Sequence, residues 1–399
     1  MIGLSVMGST GTIGDNTLDL VSQHPDEFRV VALGARRNVA KLLAQCERYR
    51  PDYAALAEEP AALELERELR ARGLPTRVLA GEAGLCEIAR LPEAPYVMAA
   101  IVGSAGLAST LAAARAGKRL MLANKESLVM AGPLLMAAAR EAGATLLPID
   151  SEHNAIFQCL PPDFVAGVAP AGVRRILLTA SGGPFLDWDI DRLRAATPDQ
   201  ACAHPNWVMG RKISVDSATL MNKGLELIEA NLLFGLPPSL IDIVVHRQSI
   251  IHSMVEYVDG SVLAQLGSPD MRTPIAHALA WPRRLGSGVQ FLDLIRVGVL
   301  DFRPPDPVRF RCLALAQEAA AAGGLAPAEL NAANEVAVAA FLAGQVNFLD
   351  IAAVIDTVMQ QNSGDGSMSA SLTLDDINAA DALARRRAHQ AVAARARVS

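Results

Sequence analysis

The sequence lacks the features of a disulfide-rich, membrane-spanning or nucleic-acid-binding protein. Its five cysteines are widely scattered and form no C-x-x-C pair, so we predict neither a disulfide framework nor a zinc site. No apolar stretch is long enough to cross a bilayer. No tract of lysine or arginine precedes the C-terminal tail and the net charge is −6, so nucleic acid is not an expected partner.

The start of the sequence and its cysteine usage both bear on location. The first predicted strand begins at Ile2, which leaves no room for a signal or transit peptide. Unpaired cysteines fit a reducing compartment. We therefore expect a cytoplasmic protein, and its 399 residues are enough for two or three domains.

Residues 1–150 alternate short apolar runs with amphipathic segments, the pattern of a parallel sheet with crossover helices. We predict an α/β fold here, a Rossmann-like doubly wound parallel sheet. The predicted strands cover 2–7, 28–33, 53–57, 96–101, 119–122 and 146–149. The predicted helices cover 15–23, 39–50, 107–116 and 128–142.

The pattern changes after residue 150. Residues 151–290 contain four predicted strands (175–180, 241–245, 253–258 and 261–266) with Asp259-Gly260 as a hairpin turn, so we expect a central α+β catalytic domain. Residues 291–309 are rich in proline and arginine and are predicted to be a linker. The Ala-rich remainder, 310–399, has helical spacing and predicts a C-terminal helical domain.

A glycine-rich segment at 8–14, GSTGTIG, follows the first predicted strand and opens the first helix. Glycines in that context let the backbone approach a pyrophosphate, which then lies at the helix N-terminus. The second strand is followed by Arg36-Arg37-Asn38, where an acidic residue would suit NAD(H) and arginines suit a 2′-phosphate. The sequence therefore predicts NADP(H); the alternative is two solvated arginines at a helix start.

Two later strands of this domain also end in polar residues. Asn124-Lys125-Glu126 lies at a strand-to-helix junction, at the edge where open α/β sheets bind ligands, although Asn124 could simply cap the helix. Asp150-Ser151-Glu152 ends the last apolar run. An extended backbone would point both carboxylates to one side, and oxygen ligands so placed suit Mg²⁺ or Mn²⁺. The alternative is a solvated acidic turn.

Two loops of the central region carry further candidates. Ser181 lies in a small-residue loop whose N–H groups and hydroxyl could form an anion nest. His204 and Trp207 belong to a loop flanked by proline and by Gly210. Its tryptophan is either a half-buried staple or part of a lid over a ligand.

A third segment, 214–230, is dense in hydroxyl groups and ends in carboxylates. Ser217, Asn222 and Lys223 could hold a phosphate by charge-assisted hydrogen bonds. Glu226 is four residues after Asn222 and shares its helix face, which makes Glu226 the candidate third metal ligand.

Taken together, six motifs resemble the 1-deoxy-D-xylulose 5-phosphate reductoisomerase family. They are GSTGTIG at 8–14, ANKESLV at 123–129, DSEHNAIFQ at 150–158, TASGGPF at 179–185, HPNWVMG at 204–210 and SATLMNKGLELIEA at 217–230. The match continues at 250–272 and 332–342 and so covers nearly the whole chain. The resemblance implies an NADPH- and divalent-metal-dependent homodimer. It would rearrange and reduce 1-deoxy-D-xylulose 5-phosphate to 2-C-methyl-D-erythritol 4-phosphate in non-mevalonate isoprenoid synthesis.

Carried over position by position, the resemblance implies roles for individual residues. The implied metal ligands are Asp150, Glu152 and Glu226, and the implied catalytic set adds Lys125 and His204. The implied substrate contacts are Lys125, Ser151, Glu152, Ser181, His204, Trp207, Ser217, Asn222, Lys223 and Glu226. The implied NADPH contacts are Thr10, Gly11, Thr12, Ile13, Arg36, Arg37, Asn38, Asn124, Glu126 and Gly210. Many members have Gly-Lys-Asn where this chain has Arg36-Arg37-Asn38, which keeps the positive charge but can change the side-chain contact.

Two other functions fit parts of the pattern. The first is another NADP oxidoreductase, such as a semialdehyde or sugar-phosphate dehydrogenase, which would work without a metal. A semialdehyde dehydrogenase also needs an activated cysteine, and the sequence gives Cys159 and Cys202 no activating partner. The second is a non-catalytic NADP(H)-binding regulator, which would bind the cofactor without turnover.

Overall fold

The structure is a computed structural model that describes residues 1–205, 207, 210–361 and 372–395. Its strands form one seven-stranded and one four-stranded sheet. The strands are β1 Ile2–Met7, β2 Phe28–Ala35, β3 Tyr53–Leu56, β4 Arg77–Ala80, β5 Tyr96–Ala99, β6 Arg119–Leu122, β7 Thr145–Pro148, β8 Val173–Ala180, β9 Ile241–Val245, β10 Ile251–Tyr257 and β11 Val262–Leu266.

Helices make up most of the remaining described residues. The α-helices are α1 Thr12–Gln23, α2 Val39–Tyr49, α3 Glu59–Ala71, α4 Gly81–Arg90, α5 Leu107–Arg115, α6 Lys125–Ala142, α7 Ser151–Cys159, α8 Ile190–Arg194, α9 Pro198–Cys202, α10 Arg211–Ala218, α11 Met221–Phe234, α12 Arg272–Ala280, α13 Leu294–Val297, α14 Arg311–Ala322, α15 Ala326–Leu342, α16 Phe348–Gln360 and α17 Leu374–Ala393. In the part of the chain that the structure describes, no helix is both long and apolar enough to cross a membrane.

The seven-stranded sheet has the order β4-β3-β2-β1-β5-β6-β7, and all of its pairings are parallel. Its inner strands are almost continuously buried, as expected where helices cover both faces. The strand order reverses at β1, so the crevice beyond the ends of β1 and β5 is where such sheets bind ligands. The predicted Rossmann-like doubly wound sheet is confirmed.

One edge of this sheet escaped the sequence-based prediction, which placed no element between residues 57 and 96. The structure has α3, β4 and α4 there. β4 is the edge strand and is only partly buried along its four residues. An edge strand of this length shows neither the continuous apolar run of a central strand nor a clear alternation, which is why the pattern hid it.

The four-stranded sheet has the order β11-β10-β8-β9. β8 and β9 are parallel, whereas β10 is antiparallel to both β8 and β11. The predicted hairpin turn between β10 and β11 is confirmed: Gly260 has φ +89°, and the Asp259 carboxylate accepts the Ser261 N–H at 2.9 Å. The predicted α+β region and the helices of the C-terminal region are likewise observed.

The chain divides into two compact units. The first comprises Met1–Ser127, Leu135–Asn154 and Asp270–Gln290; the second comprises Leu128–Leu134, Ala155–Pro269 and Phe291–Ser399. In the first unit, α12 returns to pack on α1, β6 and β7. In the second, an apolar core forms around the contacting rings of Phe185, Phe341 and Phe348.

Candidate functional site

The glycine-rich turn leads directly from β1 into α1. Gly8 has φ +83°, and a Cβ added there would lie 2.3 Å from the Ala100 carbonyl oxygen that follows β5, so only glycine fits. The N-cap residue of α1, Gly11, supplies no side-chain hydrogen bond. The first N–H groups of α1 therefore have no side-chain cap, which suits a diphosphate at this helix N-terminus. The predicted contacts Thr10, Thr12 and Ile13 lie on the same turn.

The two arginines after β2 differ in their surroundings. Arg36 is largely exposed, and its Nε lies 3.1 Å from Glu58 Oε1. Arg37 is also exposed. Asn38 caps α2, because its side-chain oxygen accepts the Lys41 N–H at 3.1 Å. The guanidinium of Arg36 is thus already engaged with a carboxylate of the same unit.

Asn124 joins two loops at the carboxyl edge of the sheet. Its Oδ1 accepts the Ser127 N–H at 3.0 Å and so caps α6. Its Nδ2 donates to Ile101 O and, at 3.1 Å, to Gly103 O. The helix-cap interpretation of Asn124 is therefore correct, and the same side chain also fixes the loop after β5. Glu126, in the first turn of α6, is buried.

The acidic tripeptide is not extended, so the geometric reason given for it in the sequence analysis is wrong. β7 ends at Pro148, and Ser151 and Glu152 are the first residues of α7. The Asp150 carboxylate accepts the Glu152 N–H at 3.2 Å, as a helix cap does. The Ser151 hydroxyl donates to Glu152 Oε2 at 2.6 Å. A helix start, rather than a strand, places the two carboxylates.

Both oxygens of Asp150 have basic neighbours. Lys125 Nζ lies 3.0 Å from Oδ2, and His153 Nδ1 lies 3.0 Å from Oδ1. Lys125 is 7% exposed and His153 is fully buried. Lys125 was expected in the site, whereas His153 was missed. Its i+3 spacing from Asp150 becomes informative only once a helix is known to begin there.

A second histidine supports the same turn. Asn154 Nδ2 donates to Pro148 O at 2.8 Å and lies 3.2 Å from His277 Nδ1. Burial, and then the positive charge of Arg284, lowers the pKa of His277 to about 4. His277 is therefore neutral at physiological pH and can accept the Asn154 N–H. Sequence reasoning missed it because it lies 123 positions away from Asn154.

In the second unit, a chain of hydrogen bonds fixes the Ser181 hydroxyl. The Trp207 N–H donates to His204 Nδ1 at 3.0 Å, so the proton of the neutral ring is on Nε2. Nε2 then donates to Ser181 Oγ at 2.9 Å, and the Gly183 N–H donates to the same oxygen at 3.2 Å. The Ser181 oxygen thus accepts two hydrogen bonds, and its own O–H group can donate to a further acceptor.

The protonation of His204 agrees with this chain. Burial lowers the pKa of His204 to about 4, so the ring is neutral around pH 7. Of the loop motif at 204–210, residues 206, 208 and 209 lie outside the described part of the chain. Gly210 is the N-cap of α10 and supplies no side-chain bond to it.

The predicted phosphate segment connects α10 to α11. Ser217 is on the last turn of α10, and Asn222 and Lys223 are in the first turn of α11. Asn222 Nδ2 donates to Glu226 Oε1, and Lys223 Nζ contacts Glu226 Oε2. The predicted shared helix face of Asn222 and Glu226 is thus observed. Lys223 and Glu226 are both at most 5% exposed.

The backbone of the Ser181 loop packs closely against this segment. Gly183 has φ +67°, and a Cβ added there would lie 2.6 Å from Ser217 O and 3.1 Å from Ala218 Cα. Two hydroxyl groups, an amide and a lysine are therefore held by contacting elements of one unit. Such donors suit a phosphate group.

Comparison with known proteins gives full-length matches. Family models described as "1-deoxy-D-xylulose 5-phosphate reductoisomerase" and two C-terminal domains of that enzyme match residues 4–132, 146–234 and 266–387. Reductoisomerases of that name from Pseudomonas syringae pv. tomato and Pseudomonas aeruginosa are 59% identical over 96% of both chains.

Solved structures agree with these matches. A DOX-P reductoisomerase in complex with NADPH, fosmidomycin and magnesium is 47% identical, with a TM-score of 0.93 over 98% of both chains. The Zymomonas mobilis reductoisomerase in complex with NADPH is also 47% identical, with a TM-score of 0.89 over 98% of both chains.

Proposed function

Because the chain belongs to the 1-deoxy-D-xylulose 5-phosphate reductoisomerase family, we infer that it has the activity of that family. It converts 1-deoxy-D-xylulose 5-phosphate to 2-C-methyl-D-erythritol 4-phosphate in the non-mevalonate isoprenoid pathway, using NADPH and a divalent metal ion. The observation that carries this conclusion is 59% identity to curated reductoisomerases over 96% of the chain, with all six sequence motifs present.

The cofactor is assigned to residues 1–150. Bound NADPH supplies the hydride that reduces the rearranged aldehyde. The uncapped start of α1, with Thr10, Gly11, Thr12 and Ile13, fits its diphosphate. Arg36, Arg37 and Asn38 follow the neighbouring strand β2, and the arginines suit the 2′-phosphate. Asn124 and Glu126, together with Gly210 from outside this range, complete the proposed contacts.

We assign the metal to Asp150, Glu152 and Glu226, a set of carboxylate oxygens of the kind that Mg²⁺ and Mn²⁺ prefer. A bound divalent ion supplies Lewis acidity for the C–C rearrangement. Lys125 contacts Asp150, so its ammonium group is held at the acidic turn, where it can donate to a substrate oxygen. Ser151 and Glu152 are the other proposed contacts to the reacting end.

The substrate's phosphate is assigned to residues 151–290. Ser181, Ser217, Asn222 and Lys223 would donate to it, with Ser181 oriented by His204 as described above. Trp207 belongs to the loop that we propose covers the substrate. The phosphate is remote from the reacting carbons, so its binding energy can be used to order that loop and exclude water. Residues 291–309 are then a linker and 310–399 a supporting helical domain.

The activity is tested by following NADPH oxidation with 1-deoxy-D-xylulose 5-phosphate, with and without Mg²⁺ or Mn²⁺. Metal-dependent oxidation is expected, and Asp150→Asn should abolish it while NADPH still binds. Asp189→Asn is the matched control, since Asp189 also accepts a helix-start N–H, at 2.8 Å from Arg192 N, outside the proposed site. NADPH binding without oxidation by the wild-type protein would favour the regulator, and metal-free reduction of another substrate would favour a dehydrogenase.

A second copy of this chain is the proposed partner. Residues 291–308 expose Phe291 (96%), Ile295 (95%) and Val308 (88%), and apolar surface of this kind marks an interface. The edge strand β11 adds Val262 and Leu263, both half-exposed. Sedimentation equilibrium should give a homodimer, and the double variant Phe291→Ser, Ile295→Ser should shift it toward monomer. A monomeric wild-type protein would contradict this assignment.

Two further expectations belong with this function. The net charge of −6 disfavours nucleic acid as a partner. The cytoplasm is the proposed location, since the cysteines are unpaired and a reducing compartment keeps them so. Cell fractionation with an antibody to the chain tests the location.

A further inference from the structure

A buried acidic residue, Asp216, has no role in the proposed chemistry. It lies on α10, next to Ser217, and is 1% exposed. Its surroundings include Val215, Ala218 and other members of the apolar core of the second unit. A carboxylate in such a place is costly unless it is hydrogen-bonded or paired.

Two donors satisfy this carboxylate, one from its own helix and one from a helix distant in the sequence. Asn334 Nδ2, on α15, donates to Asp216 Oδ1 at 2.8 Å. Lys212 Nζ, one helical turn earlier on α10, lies 3.0 Å from Oδ2. The Asn334 bond is the long-range one, since it spans 118 positions and joins α15 of the C-terminal helices to α10.

Further hydrogen bonds link the backbone of Asp216 to the phosphate segment. The Thr219 hydroxyl donates to the Asp216 carbonyl oxygen at 3.2 Å, and the Met221 N–H donates to that hydroxyl at 3.3 Å. Between them, Leu220 is buried and has φ +59°, a conformation that a leucine holds only when its surroundings impose it. The turn from Ser217 to the first turn of α11 is therefore set by its contacts.

The same turn fixes the Ser181 loop, because Gly183 leaves no space between its backbone and Ser217 O. A displacement of the end of α10 would reach Ser217 directly and Ser181 through Gly183. Stability alone does not account for Asp216, since buried ion pairs can often be replaced by apolar residues at no cost. The need to hold the phosphate donors in one position does explain a buried carboxylate at Asp216.

We propose that Asp216 and Asn334 are positioning residues, and that their hydrogen bond holds the phosphate-binding segment in register with the Ser181 loop. This inference rests on the proposed function for the identity of the anion. It assigns the C-terminal helices a part in substrate affinity, although they supply none of the proposed substrate contacts.

The test compares two fully buried asparagines of α15. Asn334→Ala removes the bond to Asp216. Asn331→Ala is the matched control, because Asn331 is equally buried and donates instead to Glu335 Oε1 at 3.3 Å. Both variants should unfold at similarly reduced urea concentrations. Only Asn334→Ala should raise the KM for the substrate and the inhibition constant of inorganic phosphate, by about tenfold, the effect of one lost bond to a charged group.

Two other readouts separate positioning from general damage. In Asn334→Ala, the KM for NADPH should stay within about twofold of wild type, because the lost bond orients only the phosphate donors. The reversed pair, Asp216→Asn with Asn334→Asp, can form the same hydrogen bond with donor and acceptor exchanged and should recover part of the phosphate affinity. Equal KM values in the Asn334 and Asn331 variants would overturn the proposal.

The proposal can fail independently of the assigned activity. If the wild-type protein does not oxidise NADPH with 1-deoxy-D-xylulose 5-phosphate, the function is wrong. Calorimetric binding of inorganic phosphate to wild type, Asn334→Ala and Asn331→Ala still decides the positioning role. Unchanged phosphate binding in Asn334→Ala would sink it.

Discussion

A single methyl group at Gly183 should separate the two hydroxyl-bearing parts of the phosphate site. Two costs follow from the substitution Gly183→Ala. Its φ of +67° costs an alanine about 1–2 kcal/mol. Its Cβ would also lie 2.6 Å from Ser217 O, and the next nearest atoms are backbone atoms too. Relieving that contact by moving backbone costs roughly a further 1–3 kcal/mol.

The affinity effect follows from the direction of that movement. Ser217 and Ser181 lie on the two sides of the contact, so relief moves one hydroxyl away from the other. Loss of one hydrogen bond to a charged phosphate weakens binding by about 1.5–3 kcal/mol, or at least tenfold. We therefore expect the KM for 1-deoxy-D-xylulose 5-phosphate to rise tenfold or more, on the order of one lost bond.

Gly143→Ala isolates the backbone cost. Gly143 has φ +68°, and a Cβ added there would meet nothing within 4 Å. The assay is steady-state NADPH oxidation together with urea unfolding of both variants. Gly143→Ala should lose only about 1–2 kcal/mol of stability and keep the wild-type KM. A Gly183→Ala enzyme that loses stability but keeps the wild-type KM would refute the link between this contact and the phosphate site.

Four other substitutions test separate parts of the assignment. Lys223→Ala should raise the KM for the substrate and also lower kcat in steady-state assays, because phosphate binding is proposed to order the loop; an unchanged kcat would contradict that coupling. Arg37→Ala should raise the NADPH-to-NADH ratio of KM values about tenfold or more. Arg36→Gly should change it less than about threefold, since the Arg36 guanidinium is already engaged with the Glu58 carboxylate. Burial lowers the pKa of His277 from 6.5 to about 4. Between these two pH values the unfolded state therefore binds a proton that the folded state does not bind. Stability in urea should fall between pH 6.5 and 4, and His277→Gln should flatten that fall.

Local patterns were sufficient for much of the first unit. The alternation of strands and helices, the glycine turn after β1 and the Asp259-Gly260 hairpin each have a short-range physical cause, so each was predictable. Asn124 shows the limit of such reasoning. Its role as a helix cap was readable from its place before an apolar run, but its bonds to the loop after β5 were not, because they depend on which strands are neighbours.

The acidic turn shows a site prediction that was based on a wrong backbone geometry. Asp150 and Glu152 were grouped as if the backbone were extended, whereas α7 begins between them. The prediction depended on the residue types and on their place after the last strand of the sheet. Neither depends on whether the backbone is extended or helical. His153 was lost for the same reason, as it neighbours Asp150 only on a helix.

Long-range partners were invisible for a different reason. Asp216 and Asn334 lie 118 positions apart, and neither has a local pattern that sets it apart from a surface residue. Their pairing follows from the packing of α10 against α15. Such a pair can be found only after the helices are placed.

Three lysines in the described part of the chain contradict their local structure. Each lies in the first turn of a helix, where the dipole disfavours a cation, and each contacts a carboxylate. The pairs are Lys125 with Asp150, Lys212 with Asp216, and Lys223 with Glu226. A helix start with a lysine presents both N–H groups and an ammonium group to an anion. The carboxylates hold these cations in place at a position that stability alone would not choose. A local inconsistency of this kind points to a functional site, and it singles out Lys125 and Lys223, which the sequence analysis had proposed, together with Lys212, which it had not.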